Sequence, residues 1–359
     1  MKHSKLSLYV MAGLLTVACS NDSDISNGKT AKQQEPPVEI KLGSYLNAVT
    51  RAYTATQGDV ITTNETVYAW IDDAGSTTPS VAASEYVKGW TLAAGAKSGT
   101  SQPLNSSNKY YFPNTGRNIN IYAVHGNFNN AVTEGTTTWS TFETSLTHSV
   151  ETAQNTTGNY DKSDLFCAHL LDKSKTATLE LPFKHVLSKV EVYLFRGTGV
   201  SASDLSTISS ITLLGSELTG NVTLIKPTNT TTEVASVTAA TGNTGNITMK
   251  LQTDGSGVDM MTESAGLTGF TPADDDKKAY AYGEAIIIPQ TIGDTTTPTP
   301  ADFISVNFSA GGALVAKVAQ AFTAGNRYTY FIVVNRTGLT LTATLTDWTS
   351  GGTTPGTAE

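Results

Sequence analysis

Leu339-Thr340-Leu341-Thr342-Ala343-Thr344-Leu345-Thr346 alternates apolar residues with threonine without a break. A period of two puts Leu339, Leu341, Ala343 and Leu345 on one face of an extended strand. Burying each large side chain there is worth roughly 1.5–3 kcal/mol. Asp347-Trp348 follow, and then a Gly/Thr/Pro tail without pattern. Two readings fit the stretch. It is the last strand of its own sheet, or it is a strand donated to a neighbouring subunit. Both hold if the strand swings out on assembly.

Working back from this strand, the same short alternation recurs between Gly, Asn, Asp and Pro clusters, the pattern of an all-β sandwich protein. Val67–Ile71, Asn118–Val124, Leu179–Phe183, Val190–Phe195, Ile247–Leu251 and Tyr328–Val334 all read as strands. Ala285–Ile288 is a continuous apolar run stopped by Pro289, as expected of a central strand. Trp139–Val150 is read as the one substantial helix. Only 15% of residues are charged, and Thr, Ser, Asn and Gly are abundant, a composition suited to an extracellular all-β chain. Residues 52–359 suffice for two domains, each with its own core. The seam is expected at Asp172-Lys173-Ser174-Lys175, giving domains at 52–173 and 174–359. No internal sequence repeat supports a duplication.

The start of the chain is of a different kind. Lys2 and Lys5 precede the short apolar run Leu6–Leu15, which is too short to span a bilayer as a helix. Thr16-Val17-Ala18-Cys19 then resembles a bacterial lipobox, in which the cysteine thiol accepts diacylglycerol. Residues 1–18 are therefore a signal peptide, and Cys19 is the expected lipidation site. One lipid chain set tethers a protein to a membrane without spanning it. The other reading is an ordinary secretory signal cut near Ala18. Residues 19–51 begin as a polar tether. They then carry a short alternating strand, Val38-Glu39-Ile40-Lys41-Leu42, before a lone Thr50-Arg51-Ala52. A cut between Arg51 and Ala52 would remove that strand, with Val38, Ile40 and Leu42 as its apolar face.

The formal net charge is −8, and loss of the leader with its two lysines makes it more negative. Such a surface argues against nucleic acid as a partner. Cys167 is the only cysteine besides Cys19, and it reads as a small buried apolar residue. His125, His148, His169 and His185 lack metal-ligand spacing. His185 reads as a packed, hydrogen-bonded side chain. Asp274-Asp275-Asp276 lacks the Gly and Glu of a calcium loop. No phosphate loop, nucleophile elbow or spaced carboxylate pair stands out. The expectation is a non-enzyme with no cofactor, no metal and no catalytic residues.

Three stretches resemble the fimbrillins, the pilins of Bacteroidales type V pili. They are Leu181-Pro182-Phe183-Lys184-His185-Val186-Leu187-Ser188-Lys189-Val190, then Ile288-Pro289-Gln290-Thr291, then Phe322–Tyr330 running on to Asp347-Trp348. Their order and spacing, with the lipobox and Arg51, extend the resemblance over nearly the whole chain. It implies two transthyretin-like β-sandwich domains in tandem and an outer-membrane lipoprotein precursor. It also implies an arginine-specific surface protease cutting after Arg51. Loss of the first strand then opens a groove for a strand from another pilin subunit, in a head-to-tail polymer without covalent links. Such a subunit belongs to a cell-surface fimbrium and contributes to adhesion, as stalk or tip. The receptor is not named by the sequence. Leu339, Leu341, Ala343 and Leu345 are the candidate donor strand, because Thr349–Glu359 is polar where some stalk members carry an apolar strand. Arg51 argues against an anchor, since anchors keep their lipid.

The competing expectation is a surface-tethered glycan-binding lipoprotein that does not polymerise. Sugars stack on exposed rings, and Trp70, Trp90, Trp139 and neighbouring tyrosines could serve. Trp90 in Lys88-Gly89-Trp90 is the best exposed candidate, while Trp70 lies within a strand. Such a binder has no need of a removable strand, so Arg51 separates the two.

Overall fold

Ile119-Asn120-Ile121-Tyr122-Ala123-Val124-His125 is buried at every position, because it has a core on each side. Ile119, Ile121 and Ala123 face one core. Tyr122 and Val124 face the other. The computed structural model describes residues 36–46, 61–74, 85–98, 101–114, 116–156, 158–197, 208–226, 233–252, 281–309, 312–335 and 338–347. Those from Pro37 onward form one compact unit. The elements in chain order are β1 Leu42–Leu46, β2 Thr66–Asp73, β3 Glu85–Ala94, β4 Gln102–Asn105, β5 Ile119–His125, α1 Trp139–Glu143, β6 Thr147–Ser149, α2 Asn159–Lys162, β7 Phe166–Lys173, β8 Leu179–His185 and β9 Ser188–Arg196. They continue as β10 Ile208–Glu217, β11 Thr219–Leu224, β12 Ala235–Ala239, β13 Thr244–Thr248, β14 Lys250–Gln252, β15 Ala281–Ile287, β16 Gln290–Ile292, β17 Ala301–Phe308, β18 Ala313–Val318, β19 Gln320–Phe322, β20 Asn326–Asn335 and β21 Gly338–Asp347.

The chain is all-β, as its alternation predicts. Its first strand set is hydrogen-bonded all the way round in the order β1-β4-β3-β2-β5-β7-β8, with β1 returning to β8. Its second set is built on two larger sheets, β14-β15-β9-β20-β21 and β13-β10-β17-β18, with the smaller β12-β11-β6 and β16-β19 beside them. Alternation decides which side chains go in. Val67, Ala69 and Ile71 of β2 enter the first core. Trp70 between them enters the second, stacked on Phe142 at 4.9 Å. Val190, Val192 and Leu194 of β9 line the second core.

The opposite face of β9 carries Lys189 and Glu191 beside the aromatic Tyr193 and Phe195, and all four are buried. Lys189 Nζ lies 2.8 Å from Glu191 Oε1 and 2.9 Å from Glu284 Oε2, and each side chain is only 1% exposed. The Tyr282 hydroxyl donates to Glu284 at 2.9 Å, and the Thr329 hydroxyl donates to Glu191 at 3.3 Å. Burial opposes the lysine charge, but the two carboxylates hold Lys189 above the ordinary lysine value.

Four expectations are corrected. Trp139–Val150 is not one helix. α1 is five residues long, capped where Thr138 Oγ1 accepts from the Thr141 N–H at 3.1 Å. Ser145 at φ 51° then turns the chain into β6, which pairs with β11. Apolar residues at 139, 142, 146 and 150 satisfy helical spacing, but they reach the core from a helix, a turn and a strand end instead. Second, the expected seam at Asp172–Lys175 lies at the connection between β7 and β8, which pair with each other. β8 also pairs with β1, so the chain leaves the first strand set after His185. Third, Ile247–Leu251 is two strands: β13 pairs with β10 in one sheet and β14 with β15 in the other. Fourth, Trp90 is not a surface ring. It is 3% exposed, packed edge-on against Tyr110 at 5.2 Å in the first core. A register shift in the β2–β3 pairing, with Gly89 at φ 56°, puts that ring on the same inward face as Val87 and Leu92.

Three further readings agree with the structure. Cys167 is buried in the second core. His185 is buried, with Nδ1 3.0 Å from Asp164 Oδ2. Ala285–Ile287 lies in β15, an interior strand between β14 and β9.

Candidate functional site: the β1 slot

Val38, Ile40 and Leu42 alternate because they belong to an extended segment with one face in the first core. Ile40 is 2% exposed and Leu42 3%, and Val38 packs partly buried against the same cluster. The regular strand is displaced from the expected span. It begins at Leu42 and runs to Leu46, preceded by an antiparallel bridge between Glu39 and Tyr111. Backbone partners on both sides, rather than local alternation, extend it over Gly43-Ser44-Tyr45-Leu46.

Those partners form the walls of a slot. On one side Leu42, Gly43 and Ser44 pair antiparallel with Leu104, Pro103 and Gln102 of β4. On the other side Leu42 to Leu46 pair in parallel with Leu179 to Phe183 of β8. Upstream, the Ile40 N–H donates to the Tyr110 carbonyl at 2.8 Å, and the Phe112 N–H donates to the Val38 carbonyl at 2.9 Å. The Leu179 N–H donates to the Lys41 carbonyl at 2.8 Å. Among the described residues β1 is thus the one strand that joins β4 to β8. Both wall strands contain a proline, Pro103 and Pro182, a residue that sheets confine to edges and bulges.

The floor of the slot is polar at one point. Ser44 is fully buried and its Oγ donates to the Gln102 carbonyl at 3.3 Å. The Gln102 side-chain amide donates to the carbonyls of Ile61 (2.6 Å) and Gly95 (2.8 Å), and its Oε1 accepts from the Ile61 N–H at 3.0 Å. Gln102 therefore fastens Ile61, the first described residue after β1, to the wall without help from β1. At the upstream end Tyr110 donates to Glu134 Oε1 at 3.0 Å. Burial and that carboxylate raise its phenol above the ordinary tyrosine value.

Sequence reasoning placed Val38, Ile40 and Leu42 together, and they share the first core. It missed Gly43, Ser44, Ser101, Gln102 and Glu180. None of them carries a periodic signal, and only pairing across the fold brings them to one place. Cys19, Arg51, Ala52, Trp348 and Asp274–Asp276 lie outside the described residues. Leu339, Leu341, Ala343 and Leu345 lie in β21, at the end of its sheet. That strand pairs with β20 from Asn326↔Asp347 to Asn335↔Gly338. Among the described residues no group of three or more His, Cys, Asp or Glu side chains could hold a metal ion.

The family described as Fimbrillin-like matches residues 50–348. The chain belongs to the fimbrillin-like family. Membership makes it a fimbrial subunit of the cell surface, in a family of structural rather than catalytic proteins that associate with other pilin subunits. No curated protein matches the sequence. Among solved structures, this fimbrillin-like chain is similar to a putative cell adhesion protein from Bacteroides uniformis. The two are 14% identical with a TM-score of 0.54, covering 88% of this chain and 100% of that one. A putative cell adhesion protein from Bacteroides ovatus is 14% identical with a TM-score of 0.52, covering 87% and 98%. At that identity the likeness is one of fold.

Proposed function

We propose that this fimbrillin-like chain is a stalk or tip subunit of a type V fimbria that contributes to adhesion and polymerises by strand replacement at the β1 slot. The precursor is exported as an outer-membrane lipoprotein acylated at Cys19. An arginine-specific surface protease cuts between Arg51 and Ala52. The segment carrying Val38, Ile40 and Leu42 departs, and a strand from a neighbouring subunit takes its place. The domains are an N-terminal body on the first strand set and a C-terminal body on the second.

One observation carries this reading: the strand that joins β4 to β8 lies wholly on the N-terminal side of Arg51. A single cut in the connection between Leu46 and Ile61 turns a covalently held strand into a replaceable one. Emptying the slot exposes the pockets of Ile40 and Leu42, roughly 1.5–3 kcal/mol each, and unpairs two strand edges. A donated strand restores both terms, with ladder hydrogen bonds for affinity and alternate pockets for selectivity. A head-to-tail contact of this kind does not close on itself and so builds a filament. The Leu339–Leu345 strand is the donor this chain could offer, by leaving β20. The glycan-binding alternative loses its three tryptophans, because Trp70, Trp90 and Trp139 are all in cores, and keeps only exposed tyrosines such as Tyr86 and Tyr111.

The test is N-terminal sequencing of surface-sheared material beside an Arg51→Ala strain. The expected result is a chain starting at Ala52 in SDS-resistant ladders that Arg51→Ala abolishes. A lipidated, uncut, monomeric protein would overturn the proposal.

A further inference from the structure

Gly43 sits where a side chain crosses the slot. It pairs with Glu180 of β8 on one side and Pro103 of β4 on the other. The half-buried Glu180 reaches over Gly43, and its Oε2 accepts a hydrogen bond from Ser101 Oγ, beside β4, at 2.8 Å. A Cβ placed on Gly43 would lie 2.6 Å from Glu180 Oε1 and 2.7 Å from its Cδ, and closer still to Oε2. Real Cβ atoms do not approach that closely, so any residue but glycine must shift the Glu180 carboxylate from the position in which it bonds Ser101. β1 thus runs beneath a carboxylate–hydroxyl bridge joining the two walls.

We infer that Glu180 and Ser101 form a latch that selects, for the β1 slot, a strand with glycine at the Gly43 position. The inference rests on strand replacement as proposed above, and it names the partner's chemistry. The occupant reads large apolar, any residue, large apolar, glycine, small hydroxyl, after Ile40, Lys41, Leu42, Gly43 and Ser44. Inward positions fill the first core, Ser44's place meets the Gln102 carbonyl, and the glycine passes under the latch.

This chain's own terminal strand does not fit in the direction of β1. With Leu339, Leu341, Ala343 or Leu345 facing inward, the positions between them are Thr340, Thr342 and Thr344. Every such register puts a β-branched residue under Glu180. Only by running the opposite way does it offer a glycine, Gly338, beside Leu339 and Leu341. Reversal would exchange the antiparallel ladder with β4 and the parallel ladder with β8, so the favoured occupant is a strand of a different subunit that carries the glycine in β1's direction, and a second copy of this chain is the disfavoured one. Opening the latch forfeits one charge-assisted hydrogen bond and forces a rearrangement, so a misfit strand binds about tenfold more weakly.

The full chain is cut after Arg51 and offered fluorescent peptides. These are residues 36–46, the same peptide with Gly43→Thr, and residues 338–347. The native peptide is expected to bind about tenfold more tightly than the other two. In a Glu180→Ala protein the native and Gly43→Thr peptides are expected to bind alike. Equal binding of both to the unaltered protein would overturn the latch. So would a Gly43→Thr deficit that Glu180→Ala leaves unchanged. Tight binding of 338–347 to the unaltered protein would overturn the preference for a different subunit. Failure of the native peptide to bind at all would instead overturn strand replacement. In that case the uncut chain still reads the latch: Gly43→Ala lowers its urea midpoint and Glu180→Ala recovers it, and no recovery refutes the latch.

Discussion

Leu42→Ala in the uncut chain should lower stability by about 3 kcal/mol. Leu42 is 3% exposed and lies in the first core, so nearly all of its side-chain surface returns to water on unfolding. Truncating a buried leucine costs the transfer of the removed groups plus the cavity left behind, about 2–5 kcal/mol in all. The middle of that range applies, because the paired wall residues Leu104 and Leu179 are each 6% exposed and can close in part of the space. Lys41→Ala is the control. Lys41 is exposed, and its loss should change stability by no more than about 0.5 kcal/mol. Urea unfolding followed by circular dichroism, with linear extrapolation, reads both. The cut chain supplies a second check. Once the segment before Arg51 has been removed, Leu42→Ala has nothing to act on, and variant and parent should unfold together. A loss below about 1 kcal/mol in the uncut chain would refute the claim that β1 completes the core.

The other predictions concern buried polar and sulfur groups. His148 accepts from the Asn127 N–H at 3.1 Å and lies 3.0 Å from the Ser163 carbonyl, so the neutral ring fits with its Nε2–H donating there. Burial lowers its pKa to about 4, with Asp164 opposing and His125 reinforcing the shift. The unfolded chain then binds the proton first as pH falls, so this stabilisation is complete above about 6.5 and disappears towards 4. Its full size is on the order of 3 kcal/mol. Urea midpoints measured against pH should show that slope, and His148→Gln should flatten it. Burial also pushes the Cys167 thiol well above the ordinary cysteine range, so a thiol reagent should label it only after denaturation. Lys189→Met removes the cation shared by two buried carboxylates, while Arg327 stays 3.9 Å from Glu191, and should cost about 3–5 kcal/mol. Adding Glu284→Gln should recover part of that loss in the same unfolding assay, and a double variant no more stable than the single would count against the ion cluster.

The slot was half legible in the sequence. Val38, Ile40 and Leu42 announce an inward face through their own spacing, and Arg51 stands shortly after them. The residues that make the slot selective carry no such mark. Glu180 is a charged residue in an alternating strand, Ser101 precedes a short strand, and Gly43 could have been a turn glycine. Their meaning comes from Glu180 of β8 meeting Ser101 beside β4 above a third strand. Trp139–Val150 failed for a related reason. Its apolar spacing satisfies a helix, but Ser145 turns the chain and β11 recruits Thr147–Ser149 as a partner. Lys189 and Glu191 would ordinarily mark a solvated face, and the sealed polar cluster was not foreseen.

The sequence by itself determined the all-β class and the inward face of most strands, because a period of two is a property of the local chain. It also supplied the expectation of a leader, and the lone Arg51 behind a short strand. The tertiary structure alone decided which strands pair. It placed β8 in the first set rather than the second, and β1 between two strands that are distant from it in the chain. Alternation states which way a side chain points and is silent about whose hydrogen bonds the backbone will take. That choice is made by non-local packing, and the β1 slot is built from it.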